Sequence, residues 1–237
     1  MVIFDILLYY YSLLLYVDMY WSEIMKIELE KVKPYDIENR SFEIIESELP
    51  HELDPQLAPI IKRAIHTAAD FDYADNLCFS EDVVNKVLDS IKNGASIVTD
   101  TQMVKAGINK TELKKYGGEV FCFMSDDDVR ETAKKNNSTR ARASMDKAAQ
   151  LDKPLIFAIG NAPTALIRLY ELIQNNEIKP ELVIGVPVGF VNVVQAKELI
   201  MQCDVPYIVA KGRKGGSNVA AAISNALLYM LRDENNE

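Results

Sequence analysis

A chain of 237 residues is long enough for one good-sized domain, and its 49% hydrophobic and 26% charged content is that of a soluble globular protein, not a disordered or fibrous one. Twenty-six basic against thirty-five acidic side chains give a net charge of −9. That excludes a general affinity for nucleic acid or anionic membranes, since no positive field exists to attract phosphates. Three scattered cysteines (Cys78, Cys122, Cys203) and two histidines (His51, His66) leave little material for a disulfide framework or a zinc site.

The first two dozen residues differ from the rest. Ile6 to Val17 is a run of twelve uncharged, mostly apolar residues bounded by Asp5 and Asp18. It is too short to span a membrane as a helix, and with no Lys or Arg before Lys26 it lacks the positive region of a signal peptide. Translation is expected to start near Met25, leaving residues 1–24 as an apolar extension or docking arm; a membrane anchor is the alternative. Residues 25–237 read as a single domain.

A helix is predicted from Asp36, where Ile37, Ser41, Ile44, Ile45 and Leu49 recur near the helical period up to Pro50. A second opens around Pro55 and carries a broad apolar stripe (Leu57, Ile60, Ile61, Ala64, Ile65, Ala68) as far as Asp70. A third runs from a Ser80 N-cap to Asn93, stopped by Gly94. The rhythm then changes to short β-branched runs at Ser96–Asp100, Glu119–Met124, Leu155–Gly160, Leu182–Val186 and Pro206–Ala210, most of them followed by a turn and a helical stretch. The expected fold is a three-layer α/β/α protein with a five-stranded, mainly parallel sheet and a helical N-terminal portion. Cys122 is expected within the second strand, alternating with Phe121 and Phe123. Asp126-Asp127-Asp128 reads as the cap and first turn of a helix, with a metal cluster as the alternative.

In open parallel sheets ligands bind beyond the carboxyl ends of the strands. The runs there are Gly160-Asn161-Ala162-Pro163-Thr164, with Pro163 suited to a first helical turn, Gly185 to Asn192, and Lys211-Gly212-Arg213-Lys214-Gly215-Gly216-Ser217-Asn218, which opens the last helix. The last matches neither the dinucleotide fingerprint nor the Walker A spacing. Val205 to Arg232 also holds Lys211, Arg213, Lys214 and Arg232 with no acid. Carboxylate recognition by Arg213, Lys211 and backbone amides fits this run, the alternative being a glycine-rich turn with solvated bases. On the second helix, Arg63 and His66 are three residues apart and share a face. A guanidinium that holds an anionic substrate beside a histidine suits proton transfer; a structural histidine on an apolar helix is the other reading.

Arg40-Ser41-Phe42, Arg63-x-x-His66, the run Gly160 to Leu166, the run Gly185 to Val191 and Gly212 to Ser217 together resemble the precorrin-8X methylmutase family, also called cobalt-precorrin-8 methylmutase or precorrin isomerase. The resemblance covers about Val32 to Leu231. It implies a cytoplasmic homodimeric isomerase of cobalamin biosynthesis, without a cofactor, that moves a methyl group from C-11 to C-12 of precorrin-8X or cobalt-precorrin-8 to give hydrogenobyrinate or cobyrinate. It further implies that His66 is the proton donor or acceptor and that Ser41 and Arg63 bind substrate. Arg40, Asn161, Arg213, Gly215 and Ser217 are expected to add contacts to the tetrapyrrole carboxylates, and Val188, Phe190 and Val191 an apolar surface for the macrocycle. The rival function is a non-catalytic corrinoid carrier on the same scaffold.

Overall fold

The computed structural model describes residues 29–234 together with Tyr11 and Tyr16, so most of the apolar N-terminal run lies outside the described residues. The chain divides into two units, Met1–Arg40 and Ser41–Glu237. Helix α1 (Ile37–Glu48) starts at the end of the first and continues into the second.

In the second unit the order is α2 (Ala58–Ala68), α3 (Tyr73–Asn76), β1 (Leu77–Phe79), α4 (Val83–Lys92), β2 (Ser96–Thr99), α5 (Gln102–Gly107), α6 (Lys110–Lys115) and β3 (Val120–Phe121). There follow α7 (Asp127–Lys135), α8 (Arg140–Ala148), β4 (Leu155–Ile159), α9 (Pro163–Gln174), β5 (Leu182–Gly185), α10 (Val193–Met201), β6 (Tyr207–Ala210) and α11 (Ser217–Glu234). The strands form one sheet in the order β1-β6-β5-β4-β2-β3. Every neighbouring pair is parallel except β1 with β6.

Strands β2, β4 and β5 are buried at every position, as strands covered on both faces must be, and their β-branched and aromatic residues suit that surface. Alternation along β4 sorts the core. Ile156 and Ala158 join residues of α2, α4 and α11 on one face, while Leu155, Phe157 and Ile159 join residues of α8, α9 and α10 on the other. This is the expected three-layer arrangement, with Pro163 in the first turn of α9 as anticipated.

The sheet has six strands where the sequence suggested five. The unforeseen β1 is only three residues long, too short to show a period, and is defined by its antiparallel pairing with β6. Ser80, expected to cap the third helix, extends that ladder instead: its N–H donates to the Tyr207 carbonyl (3.1 Å) and its hydroxyl accepts from the Tyr207 N–H (3.0 Å). The helix starts after Asp82, a residue with φ of 54°. The run Glu119–Met124 keeps only two residues of strand, and Cys122 lies beyond them while the rings of Phe121 and Phe123 stack 5.9 Å apart. Asp126 does precede α7, but its carboxylate makes no cap hydrogen bond; it meets Lys147 Nζ at 2.8 Å, and Asp128 meets the same ammonium at 2.7 Å.

The parallel strands are locked at their carboxyl ends by Asp100, the buried residue that follows β2. Its Oδ1 accepts from the Gly160 N–H (2.9 Å), and its Oδ2 from the N–H groups of Asn161 (2.8 Å) and Ala162 (2.6 Å). Burial pushes this carboxyl above its usual range, and the three N–H donors oppose that shift. Replacement by asparagine would set an NH2 group against one side of this donor set. Asp100→Asn is therefore expected to lose about 2–4 kcal/mol of stability in urea unfolding. An unchanged midpoint would show that the three bonds contribute nothing net.

Candidate active site

Helix α2 carries the site because of its two faces. Ile60, Ile61, Ala64 and Ile65 are buried in the core, which turns Arg63, His66 and Thr67 toward a cavity of about 360 Å³. The opposite wall is α11, whose Asn218, Ala222, Asn225 and Tyr229 recur on one helical face, and Gly107 at the end of α5 closes the side. Asn225 joins these walls: its amide donates to the Gly107 carbonyl (2.9 Å) and its Oδ1 accepts from the Asn109 N–H (2.8 Å).

The Arg63 guanidinium contacts two rings, 4.8 Å from the centroid of Phe42 and 5.2 Å from that of Tyr229. Phe42 also meets the His66 imidazole edge-on, with centroids 5.2 Å apart and planes at 72°. His66 is exposed to the cavity, and among the described residues neither ring nitrogen is engaged. A second cavity of about 420 Å³ shares Arg63 and Tyr229 and adds Phe42 and Lys62 to its wall. Arg63 and Tyr229 thus line both hollows, and His66 the first.

The loops at the carboxyl ends of the strands form a second cluster. A Cβ at Gly160 would fall 2.7 Å from the Ser217 Cα, so these backbones approach as only glycine allows. Ser217 begins α11, and its hydroxyl meets that of Thr101, the cap of α5, at 3.0 Å. Gly215 (φ 154°) lies against the Val186 carbonyl oxygen, with which any side chain would collide. Arg213 is exposed, 5.5 Å from the centroid of the equally exposed Phe190. Asn161 gives its N–H to Asp100 and leaves its side chain exposed.

Of the residues singled out in the sequence, His66 and Arg63 therefore share one cavity, and Asn161, Arg213, Gly215 and Ser217 gather in the strand-end loops. Ser41 is half-buried on α1 beside Phe42 and does not line either cavity. Arg40 belongs to the first unit, where its Nε donates to Glu30 Oε1 at 2.7 Å. Sequence reasoning missed Phe42 as the residue joining Arg63 to His66, and Tyr229 and Asn225 altogether. The recurrence of polar residues every three or four positions in α11 was the signal that could have found them.

The basic stretch is not uniformly free. Lys214 is held by Asp70 (2.7 Å) and Asp72 (2.6 Å), which follow the end of α2, and Arg232 pairs with Asp233 (3.0 Å). Among the described residues, Lys211 and Arg213 bond no carboxylate. The Asp70 turn depends on Ala69, which ends α2 in the left-handed conformation (φ 49°). Lys214 holds the Asp70 carboxyl below its usual range. A depressed carboxyl contributes stability that is present above its unfolded pKa and lost as pH falls through the lowered folded value. Lys214→Met is thus expected to lower the urea midpoint more at about pH 7 than at an acid pH, since the contribution of the pair fades as Asp70 takes up its proton. Equal midpoints at both pH values would show that the clamp adds no stability.

The model of the family described as precorrin-8X methylmutase matches residues 36–230. The chain is 47% identical over 197 residues to the cobalt-precorrin-8 methylmutase of Priestia megaterium, covering 83% of this chain and 88% of that protein. It is 45% identical over 209 residues to the enzyme of the same name from Salmonella typhimurium, covering 85% and 97%. The crystal structure of precorrin-8x methyl mutase from Thermus thermophilus superposes with a TM-score of 0.76 at 39% identity, covering 84% of this chain and 98% of that one. Arg63, His66, Phe42 and Tyr229 all fall inside the matched span, and the chain belongs to the precorrin-8X methylmutase family.

Proposed function

We propose that this chain moves the methyl group of cobalt-precorrin-8 from C-11 to C-12, giving cobyrinate, with His66 as the proton donor and acceptor. The general activity is that of its family, a methylmutase and thus an isomerase of cobalamin biosynthesis. The observation that carries the finer reading is the placement of Arg63 and His66 in one cavity, the guanidinium in contact with Phe42 and Tyr229 and the imidazole exposed. The cobalt-containing substrate is favoured because the Priestia and Salmonella relatives, at 47% and 45% identity, are named for it.

The chemistry asks for little beyond placement and one mobile proton. The C-11–methyl bond breaks as the C-12–methyl bond forms, the double bonds of the conjugated system shift, and no electrons enter or leave. A proton lent by His66 polarises that system, and its return leaves the imidazole as it began. The carboxylate arms of the substrate are met by Arg63 at the cavity and by Arg213 at the strand-end loop. Val188, Phe190 and Val191, all exposed, give the flat macrocycle an apolar face. Ser41, Arg40, Asn161, Gly215 and Ser217 belong to the same substrate shell in this reading, and the working assembly is a cytoplasmic homodimer.

His66→Ala is expected to slow conversion of cobalt-precorrin-8 by about 10²–10⁴-fold, followed by the absorbance change of the corrinoid, while the melting temperature stays that of the wild type because the ring is exposed. Full activity in that variant would remove His66 from the mechanism. An inactive wild type that still binds substrate would favour a carrier. In a separate comparison, kcat/KM for cobalt-precorrin-8 is expected to exceed that for the metal-free substrate by at least roughly 10-fold. The reverse preference would assign the chain to precorrin-8X.

A further inference from the structure

Lys197 is the buried cation for which the chemistry above has no use. It lies on α10 with 1% of its surface exposed, and among the described residues it meets no carboxylate. Its ammonium donates instead to two backbone carbonyls, those of Gly212 (2.9 Å) and Lys214 (2.8 Å). The carbonyl between them, that of Arg213, accepts from the Gly189 N–H at 3.2 Å. Three consecutive carbonyls of the strand-end loop are therefore satisfied from within the protein. The Gly216 N–H then donates to the Val186 carbonyl (2.9 Å), which fixes the far end of the loop.

Carbonyl oxygens are the negative ends of a loop, and an anion approaches only where they point elsewhere. A buried ammonium that holds two of them also keeps a positive charge directly beneath the loop. Burial pushes the Lys197 ammonium down to about 8, so the site keeps a cation where solvent alone would be a better host. With one carboxylate in place of these carbonyls the charge would be cancelled; with carbonyls it is retained.

We propose that Lys197 is a positioning residue for substrate binding: by drawing the Gly212 and Lys214 carbonyls inward it sets the loop so that Arg213 receives a substrate carboxylate. This assignment rests on the isomerase reading and deepens it. The residue touches neither substrate nor reacting carbons, so its loss weakens binding without slowing the chemical step.

The test uses the full chain and cobalt-precorrin-8. In Lys197→Met, KM is expected to rise roughly 10-fold with kcat within about twofold of wild type, the loss of about one charge-assisted contact. Because the lysine acts through Arg213, the double variant Lys197→Met/Arg213→Ala is expected to have a KM within about twofold of Arg213→Ala alone. An unchanged KM, a fall in kcat alone, or independent multiplication of the two effects would overturn the assignment. Should the methionine variant not fold, Lys197→Gln, which keeps an N–H donor at the position, is read by the same split. An inactive wild type would defeat the isomerase reading and the assignment with it, whereas an active wild type leaves the variants to decide.

Discussion

The arrangement depends on a carboxylate that the protein supplies to itself. Connections leave β2 and β4 in opposite directions across the sheet, and the crevice between two such strands is where ligands of parallel-sheet proteins usually sit. Here Asp100 occupies it. The N–H groups of residues 160–162, which lead into α9 and would suit a phosphate, are all given to its two oxygens. With that position closed by the Asp100 carboxyl group, the cavity lined by Arg63 and His66 lies instead in the groove between α2 and α11. This agrees with the absence of a phosphate-binding spacing in the loops.

Loop ends are fixed in a similar manner from several directions. Gly160 abuts Ser217, Ser217 bonds Thr101, and Thr101 caps α5, so the ends of β2, β4 and the start of α11 form one connected piece. Lys214 ties the same region to the turn after α2. The helix bearing His66 and the loop bearing Arg213 are thereby referred to a common frame, although they are distant in sequence.

The central strands were legible because a run buried on both faces must be apolar throughout, and Leu155–Ile159 has no other reading. That Arg63 and His66 share a face was legible for the opposite reason: two polar residues at helical spacing stand beside a stripe that is otherwise apolar. What escaped was set by tertiary contact. Leu77–Phe79 becomes a strand only because Tyr207–Ala210 lies alongside. Lys197 sits in a helix whose sequence, Val193 to Met201, would place a lysine in solvent, and only the fold of the residue 211–216 loop reveals its partners. Net charge speaks only to the overall field, and the distribution of pairs mattered more. Of the four cations between Val205 and Arg232, Lys214 and Arg232 are matched by acids from outside that segment or at its edge.

The aromatic slot around Arg63 has a consequence for orientation. The Arg63 guanidinium is held against the rings of Phe42 and Tyr229, 4.8 and 5.2 Å from their centroids, and a carboxylate that pairs with a guanidinium in bidentate fashion lies in its plane. Much of the rotamer freedom such a side chain would lose on binding is already absent. If Arg63 receives a substrate arm as proposed, the two rings would act as a jig for the whole macrocycle, setting the angle at which that arm enters and through it the tilt of the ring relative to His66.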